Sequence, residues 1–285
     1  AHHFTVLAGH EGVANYSDAL SASSDGLADD RLTNLQNGKQ ETYSVSESMS
    51  QSRFLSFFGR LDYSILDKYY FDASVRNDAC SRFGANNRNA TFWAVGGMWK
   101  IKGEDFLYAV DAVNDLNFKV SYGTQGNASI GNYQHLGLVS TASKYMDTGA
   151  KVLSQPSNPG LTWEQQALLT VGINGRFFNM LDVNIEFYNR TTTDMLMDVP
   201  YNYTTGFSSL KANVGSLSNR GVDITLGVDI LRGRDYWLRA STTFNYNDEK
   251  VTGLFNGLDR WEMTGYGLAY VVGKPVMFYA PIYAG

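Results

Sequence analysis

Apolar and polar residues alternate along much of this chain with a period of two. The segment LTVGINGRFFNMLDVNIEFYNR, residues 169–190, shows the pattern on both sides of a break at FNM. Leu169, Val171 and Ile173 share one side before the break, and Val183 and Ile185 share one side after it. A period of two on both sides of a short turn predicts a β-hairpin with one apolar face. That face contacts either a protein core or lipid.

The same alternation is present in further segments, at residues 55–65, 69–76, 93–101, 116–122, 222–230 and 236–246. These runs are about 8 to 12 residues long, whereas a globular strand usually has about 5 to 6. Ten residues tilted near 45° cover about 23 Å, which is close to the height of the apolar band of a membrane barrel. Strand length therefore favours lipid as the partner of the apolar face.

Short and long connections alternate along the chain. Short ones are expected near Leu66, Asn179 and Gly233, with a medium one at residues 102–115. Long polar loops are expected at residues 11–52, 77–90, 124–166 and 191–219, and from residue 247 onward. We therefore predict an all-β fold, an antiparallel up-and-down transmembrane β-barrel segment of about ten strands, with short periplasmic turns and long extracellular loops.

Composition agrees with this fold and excludes some partners. The 285 residues are 14% aromatic and include 28 Gly and 5 Pro, a balance typical of β-proteins. The net charge of −5 argues against a nucleic-acid partner. Aromatic residues expected near strand ends on the apolar face fit an interfacial girdle; they are Tyr63, Tyr69, Phe177, Phe187, Tyr236 and Tyr246. The rival fold is a soluble extended sheet whose second face meets water.

Residues that would indicate catalysis or metal binding are sparse. The four histidines are dispersed, and neither a nucleophile-elbow pattern nor a P-loop is present. Cys80 is the single cysteine, so we expect a small buried or loop residue without a disulfide. We therefore expect no enzyme activity, no cofactor and no metal site.

Longer stretches resemble a known family. The segment SFFGRLDYSILDKYYFDASVRNDACSRFGANNRNATFWAVGGMWKI, residues 56–101, resembles the barrel of the SusC/RagA family of TonB-dependent outer-membrane transporters. Further landmarks follow in the same order: LNFKVSYGTQGNASIGNY, NPGLTWEQQ, FYNRTTTDMLMDVPYNYTTGF and NVGSLSNRGVDI. Ala79 and Cys80 stand where the family tends to have Gly and Ser. The resemblance covers nearly the whole chain.

The resemblance implies a fold, a function and partners. Residues 1–285 would form part of a barrel of about 22 strands, with the plug domain and the TonB box outside this chain. The function implied is TonB-dependent import of a bulky nutrient, such as a glycan or an oligopeptide, across the bacterial outer membrane. The implied partners are a SusD-like surface lipoprotein, outer-membrane lipid, and TonB acting through parts outside the chain. A passive porin or a surface adhesin is the alternative.

Two groups of site residues follow from the resemblance. Charged residues on the polar sides of the strands would face the lumen, where we expect pairing with each other or with the plug more than substrate contact: Arg60, Asp62, Asp72, Arg76, Lys119, Arg176, Glu186 and Arg239. Loop aromatics that either stack on a substrate or pack the loops are Tyr133, Tyr145, Tyr201 and Tyr203.

Overall fold

The computed structural model describes residues 2–145, 148–263, 267–278 and 280, with backbone only for residues 142–145, 148–149 and 203. The described residues form sixteen strands: β1 His2–Ser23, β2 Ser44–Ile65, β3 Tyr69–Cys80, β4 Asn89–Lys100, β5 Val113–Asn127, β6 Leu138–Tyr145, β7 Thr148–Gln155, β8 Glu164–Phe177, β9 Leu181–Thr193, β10 Leu196–Pro200, β11 Ser209–Asn213, β12 Ser216–Arg232, β13 Trp237–Gly253, β14 Arg260–Met263, β15 Leu268–Val271 and β16 Met277–Phe278. One short α-helix, α1 Asp105–Tyr108, lies in the β4–β5 connection, where it follows the 3-10 turn Ile101–Gly103. Among the described residues, no helix is both long and apolar enough to cross a bilayer.

Nine of these strands form one antiparallel sheet in the order β1-β2-β3-β4-β5-β8-β9-β12-β13. Neighbours in the sheet follow each other along the chain, apart from hairpins inserted into two long loops, β6–β7 and β10–β11. This is the up-and-down arrangement predicted from the sequence, with nine long strands where about ten were expected. Within the described residues β1 and β13 do not pair, so the sheet is open.

The register separates the two faces of this sheet. On one face Val120, Val171, Phe187, Val222 and Tyr246 lie side by side across five strands. We call this the apolar face. Phe187 and Tyr246 are 42% and 60% exposed, so no other part of the described chain covers these two side chains.

The neighbouring row of the same five strands belongs to what we call the polar face. It consists of Lys119, Gly172, Glu186, Asp223 and Asn245. The two rows differ by one residue on each strand, and successive side chains of a strand point to opposite faces. The alternation predicted from the sequence is thus confirmed strand by strand.

The predicted loop at residues 11–52 is wrong. β1 and β2 each have 22 residues, and the connection between them spans only residues 24–43. As strands, residues 14–23 and 44–53 pair only with each other, and they form a ribbon beyond the β2–β3 pairing, which begins at Phe54. The segment SVSESMSQS, residues 44–52, is polar at nearly every position. It therefore lacks the apolar period of a strand, although its backbone pairs as one.

Two short turns have the same backbone geometry. Lys68 N donates to Ile65 O at 3.1 Å, and Met180 N donates to Phe177 O at 3.0 Å. The two central residues of each turn have positive φ, at 55° for Leu66 and 54° for Phe178 in the first position. Both central residues with positive φ define the tight turn whose twist matches that of a hairpin. FNM is therefore a turn, as predicted.

The buried hydrophobic residues lie at the long-loop end of the sheet rather than along it. Cys80 and Phe92 come from β3 and β4, and they pack with residues of the loops above them, Phe83, Ile130, Leu161 and Trp163. We call this group the loop cluster. Cys80 is 1% exposed, as expected for a small buried residue.

Candidate functional site

All eight charged residues predicted to face the lumen lie on strands of the main sheet, at positions of the polar face. Five of them form ion pairs: Arg60, Asp62, Arg76, Arg176 and Arg239. The polar face is therefore the candidate functional site, and ion pairs hold most of its predicted charged residues in place.

Four residues near the short turns form a closed ring of alternating charge, which we call the charged quartet. Arg176 bonds Asp182 at 3.0 Å and Asp229 at 2.6 Å. Arg239 bonds the same two carboxylates, at 2.8 Å and 3.0 Å. Gly227 lies opposite Asp182 on β12, and a Cβ atom there would lie 2.6 Å from Arg239 Nη2. Glycine at this position lets Arg239 reach across β12.

Arg76 is the centre of a second group on β1, β2 and β3. Its guanidinium bonds Asp78 at 2.6 Å, Glu11 at 2.9 Å and the Ser56 hydroxyl at 2.9 Å. It also lies 5.5 Å from the centre of the Phe58 ring. These contacts leave the Arg76 side chain little freedom to move towards a ligand. We therefore interpret Arg76 as a structural residue of the sheet.

The remaining pair, Arg60 and Asp62, lies on β2 towards its short-turn end. Arg60 Nη2 approaches Asp62 Oδ1 at 2.7 Å, and both side chains are largely exposed. Exposed pairs of this kind contribute little to stability.

Three of the predicted residues, Asp72, Lys119 and Glu186, have no ion-pair partner among the described residues. Lys119 borders a cavity of about 390 Å³ that Arg176, Asp182 and Arg239 of the charged quartet also line. Glu186 borders a neighbouring cavity of about 400 Å³, together with Asp223 and Arg190. Lys119 and Glu186 lie on the same row with Gly172 between them, about 10 Å apart at two strand spacings. Charges of both signs that lack an ion-pair partner among the described residues therefore border open space.

Two of the four predicted loop aromatics can be placed. The Tyr133 hydroxyl accepts a hydrogen bond from Gln51 N at 3.0 Å, and its carbonyl accepts one from Gln155 Nε2 at 3.0 Å. Tyr133 thus packs its loop against β2. Tyr201 is 40% exposed. The side chains of Tyr145 and Tyr203 lie outside the described part of the structure.

The loop cluster brings three loops over the polar face. Trp163 lies 5.3 Å from the Phe83 ring and 5.7 Å from the Phe92 ring, measured between centroids. Its indole N–H donates to Arg88 O at 2.9 Å. Since Phe92 stands on the polar face, these loops fold inward rather than outward. They narrow the space above β2, β3 and β4.

The described residues contain no group of three or more His, Cys, Asp or Glu side chains placed to hold a metal ion.

Comparison with known protein families gives a match over most of the chain. The model described as TonB dependent receptor-like, beta-barrel, matches residues 3–278. The chain belongs to the TonB-dependent receptor β-barrel family. The predicted family and the predicted barrel architecture are therefore confirmed.

Relatives of known name are also TonB-dependent receptors. TonB-dependent receptor P39 of Formosa agariphila is 34% identical over 212 residues, which is 74% of this chain and 20% of that protein. TonB-dependent receptor SusC of Bacteroides thetaiotaomicron is 31% identical over 220 residues, 74% of this chain and 22% of that protein. These proteins are receptors of the outer membrane, and the family is one of transporters rather than enzymes.

Among solved structures, the RagAB peptide transporter superimposes with a TM-score of 0.92 at 41% identity. The match covers 100% of this chain and 32% of that chain. The chain thus spans about a fifth to a third of the length of these relatives. In a barrel of this family the apolar face contacts lipid and the polar face lines the interior.

At the short-turn end, Glu104 ties the β4–β5 connection to the strands of this barrel wall. Its carboxylate accepts hydrogen bonds from the Tyr69 hydroxyl at 2.6 Å, the Trp99 indole at 3.0 Å and Lys68 Nζ at 3.2 Å. The bonds from Tyr69 and Trp99, and then Lys68, hold the pKa of Glu104 below its usual range. Tyr69 and Trp99 stand on the apolar face, so Glu104 anchors two aromatic side chains at the end of their strands.

Sequence reasoning missed several residues of the polar face. Asp182 and Asp229 complete the charged quartet, and Glu11 and Asp78 hold Arg76. In the alternating pattern, Asp182 and Asp229 fall on the polar sides of their strands, so the period of two could have identified them. Glu11 falls within the loop predicted at residues 11–52, whereas the structure places it on β1. The loop cluster was missed because its aromatic residues are isolated within polar segments.

Proposed function

We propose that this chain forms part of the wall of a TonB-dependent outer-membrane importer that takes up oligopeptides. A SusD-like surface lipoprotein would cooperate at the long-loop end, and TonB would act through parts of the receptor outside this chain. The polar face would line the path of the substrate.

One observation carries the proposal: the match to the RagAB peptide transporter spans the whole chain at 41% identity. Identity at this level goes with the same architecture and usually with a related role, although the substrate depends on particular residues.

Two charged residues of the polar face that lack ion-pair partners among the described residues support a peptide substrate. Lys119 and Glu186 have opposite signs and border neighbouring cavities of about 390 and 400 Å³. A peptide carries an amino group and a carboxylate, so it offers a partner to each. A neutral glycan, the other bulky nutrient considered, has no charged group to pair with either residue.

Growth of a strain lacking the full-length receptor tests this function. We expect the deletion to abolish growth on an oligopeptide mixture as sole nitrogen source and to leave growth on free amino acids unchanged. Restoring the receptor should restore growth, and Lys119→Ala with Glu186→Ala should restore it only in part. Unimpaired growth on peptides, with a defect on an oligosaccharide instead, would identify a glycan importer.

A passive pore or an adhesin predicts a different result. Inactivating TonB would leave the uptake of peptides through a passive pore unchanged, whereas an importer of this family would stop. An adhesin would show no uptake defect in either strain. The sequence upstream of this chain in the parent gene offers a second check, because a passive pore needs neither a plug nor a TonB box.

The lipoprotein partner has its own test. Purification of the full-length receptor from its native membrane in mild detergent should retain a SusD-like lipoprotein in equimolar amount. Shortening the projecting ribbon, residues 14–23 and 44–53, should reduce this retention if the partner binds at the long-loop end. Equal retention by the shortened receptor would place the partner elsewhere.

A further inference from the structure

Two carboxylates of the polar face lie directly opposite each other on neighbouring strands. Glu186 on β9 and Asp223 on β12 are partners in the strand register, and both side chains are half-buried. Neither has a cationic side chain within ion-pair distance among the described residues, unlike Asp182 and Asp229. Like charges at such a pair repel, because their Cβ atoms are only about 4.5 to 5.5 Å apart. The pair therefore lacks a cation to balance it.

Neutral groups hold these two carboxylates in position. Asn184 Nδ2 donates to Glu186 Oε1 at 3.4 Å, and Asn245 Nδ2 donates to Asp223 Oδ1. Gly172 on β8 leaves room for Glu186, since a Cβ atom at Gly172 would lie 3.0 Å from Glu186 Cγ. Amides orient a carboxylate but supply no positive charge. The remaining oxygen atoms are therefore available to a cationic ligand.

The cavity that the carboxylate pair lines also contains an arginine. Its volume of about 400 Å³ falls in the usual range of small-molecule sites. Arg190 lies four residues beyond Glu186 on the same side of β9, about 13 Å along the strand. It is exposed and has no carboxylate within ion-pair distance among the described residues. The cavity thus has acceptors at one end and a guanidinium at the other.

Tyr188 lies on β9 between the two charged ends. Its hydroxyl donates to Asn247 Oδ1 at 3.1 Å, and the side chain extends over Gly221, where a Cβ atom would clash with that hydroxyl. The ring offers an apolar contact surface between the charges. Thr170 and Asn219 add a hydroxyl and an amide to the lining. A ligand with charged ends and a mixed middle would match this arrangement.

We propose that this cavity binds a short peptide by both ends, with the ammonium group between Glu186 and Asp223 and the carboxylate at Arg190. The inference rests on the proposed peptide importer and names the form of peptide that this part of the polar face takes. An extended peptide spans at most about 3.3 to 3.6 Å per residue, so about three or four residues match the separation. Arg190 takes the carboxylate rather than Lys119, because Arg190 lines the same cavity as Glu186.

An ammonium group suits the carboxylate pair better than a metal ion does. Hard divalent cations take about six or more oxygen ligands, mostly from carboxylates, carbonyls and water. No third His, Cys, Asp or Glu side chain in the described part of the chain joins the pair in a group placed to hold a metal. An ammonium group instead has three N–H donors, and charge-assisted hydrogen bonds to two carboxylates use them well.

Calorimetric titration of the full-length receptor in detergent tests the site. The probes are tetraalanine, N-acetyl-tetraalanine and tetraalanine amide. Each blocked peptide should bind at least about tenfold more weakly than tetraalanine, because it lacks one charged end. Glu186→Gln with Asp223→Asn should remove the discrimination against acetylation, and Arg190→Gln should remove the discrimination against amidation. Each ratio compares peptides on one variant, so a partly unfolded sample leaves it unchanged.

Arg220→Gln is the matched control, because Arg220 is an exposed arginine on the apolar face of β12, opposite Asn189. It should leave both ratios as they are in the unaltered receptor. Heat-modified migration in gels reports folding, and the single variants Glu186→Gln and Asp223→Asn should each lower the acetylation ratio if the double variant does not fold.

Three outcomes would overturn the inference. Absent or equal binding of the three peptides to the unaltered receptor is the first, and unchanged ratios in the Glu186, Asp223 and Arg190 variants are the second. Displacement of tetraalanine by 1 mM calcium chloride is the third, since it would assign the carboxylate pair to a metal ion. Any of these results together with peptide-dependent growth would leave the importer intact, whereas failure of the growth test would remove the proposed function as well.

Discussion

The loop cluster and the charged quartet organise two ends of the same polar face by different means. In the loop cluster Phe83 and Leu161 are completely buried, and Trp163 is 4% exposed. In the charged quartet the side chains range from 18% exposed at Asp229 to 40% at Arg239. One end excludes water and the other admits it.

This difference decides what each group contributes. Buried apolar side chains stabilise in proportion to the area they remove from water. Solvated ion pairs retain much of their hydration, so neither their desolvation penalty nor their net attraction is large. The loop cluster should therefore hold the loops in place. The charged quartet should fix the positions of its own four side chains on the polar face, while it contributes little to the free energy of unfolding.

Trp163→Ala should have the largest effect. Truncating a buried aromatic side chain costs about 3 to 5 kcal/mol, because transfer and cavity terms add. Hydrogen exchange in the full-length receptor should show a matching loss of protection in residues 128–163. Leu136→Ala, at a 43% exposed position of the same loop region, is the control and should change protection little. Equal effects of the two variants would show that the loop cluster does not hold the loops.

Phe178→Asn should have an intermediate effect of opposite sign. Phe178 has φ 54° at the first central position of its turn, where Asn is preferred over a bulky residue. We expect stabilisation of about 1 kcal/mol, measured by chemical unfolding of the receptor in detergent. Phe178→Leu keeps the unfavourable backbone and serves as control. An Asn variant less stable than the Leu variant would mean that the ring, 65% exposed, gains more from its surroundings than the turn loses.

Breaking the charged quartet should have a smaller effect that depends on salt. Asp229→Asn should lower the Tm of the receptor at low ionic strength, and the difference should shrink in 1 M NaCl, where the screening length is about 3 Å. Combined with Arg239→Gln, the loss should be less than the sum of the two single losses, because both variants break the same ring. Asp235→Asn, in the neighbouring short turn, is the control. An additive loss that persists in salt would contradict a solvated network.

The smallest effect concerns pH at the short-turn end. Because the folded-state pKa of Glu104 is depressed, its contribution is present above the ordinary carboxyl value of 4.5 and is lost as pH falls through the folded value. Protection of residues 101–112, relative to the unfolded rate at each pH, should fall on acidification below about pH 4.5. Glu104→Gln should lack this pH dependence. The same acid-induced loss in the variant would assign it to another group.

The strands and their faces could largely be predicted. The turn at FNM and the outward positions of Val171, Ile173 and Val183 follow from a period of two, which depends only on neighbours along the chain. The same parity placed all eight charged candidates on the polar face. Prediction failed at the ribbon of β1 and β2, since a strand that is polar on both sides carries no such signal.

The sequence by itself therefore determined the family, the up-and-down barrel architecture and which side of each strand is polar. Only the tertiary structure decided which charges meet. Arg176 and Asp229 are 53 residues apart, and their contact requires the register of two strand pairs, β8–β9 and β9–β12. The contact of Arg239 with Asp182 across β12 further requires the missing side chain of Gly227. Likewise, Trp163 reaches Phe83 only because two loops fold inward over β4. Alternation is a local property of an extended chain, whereas register and loop packing depend on all the strands at once.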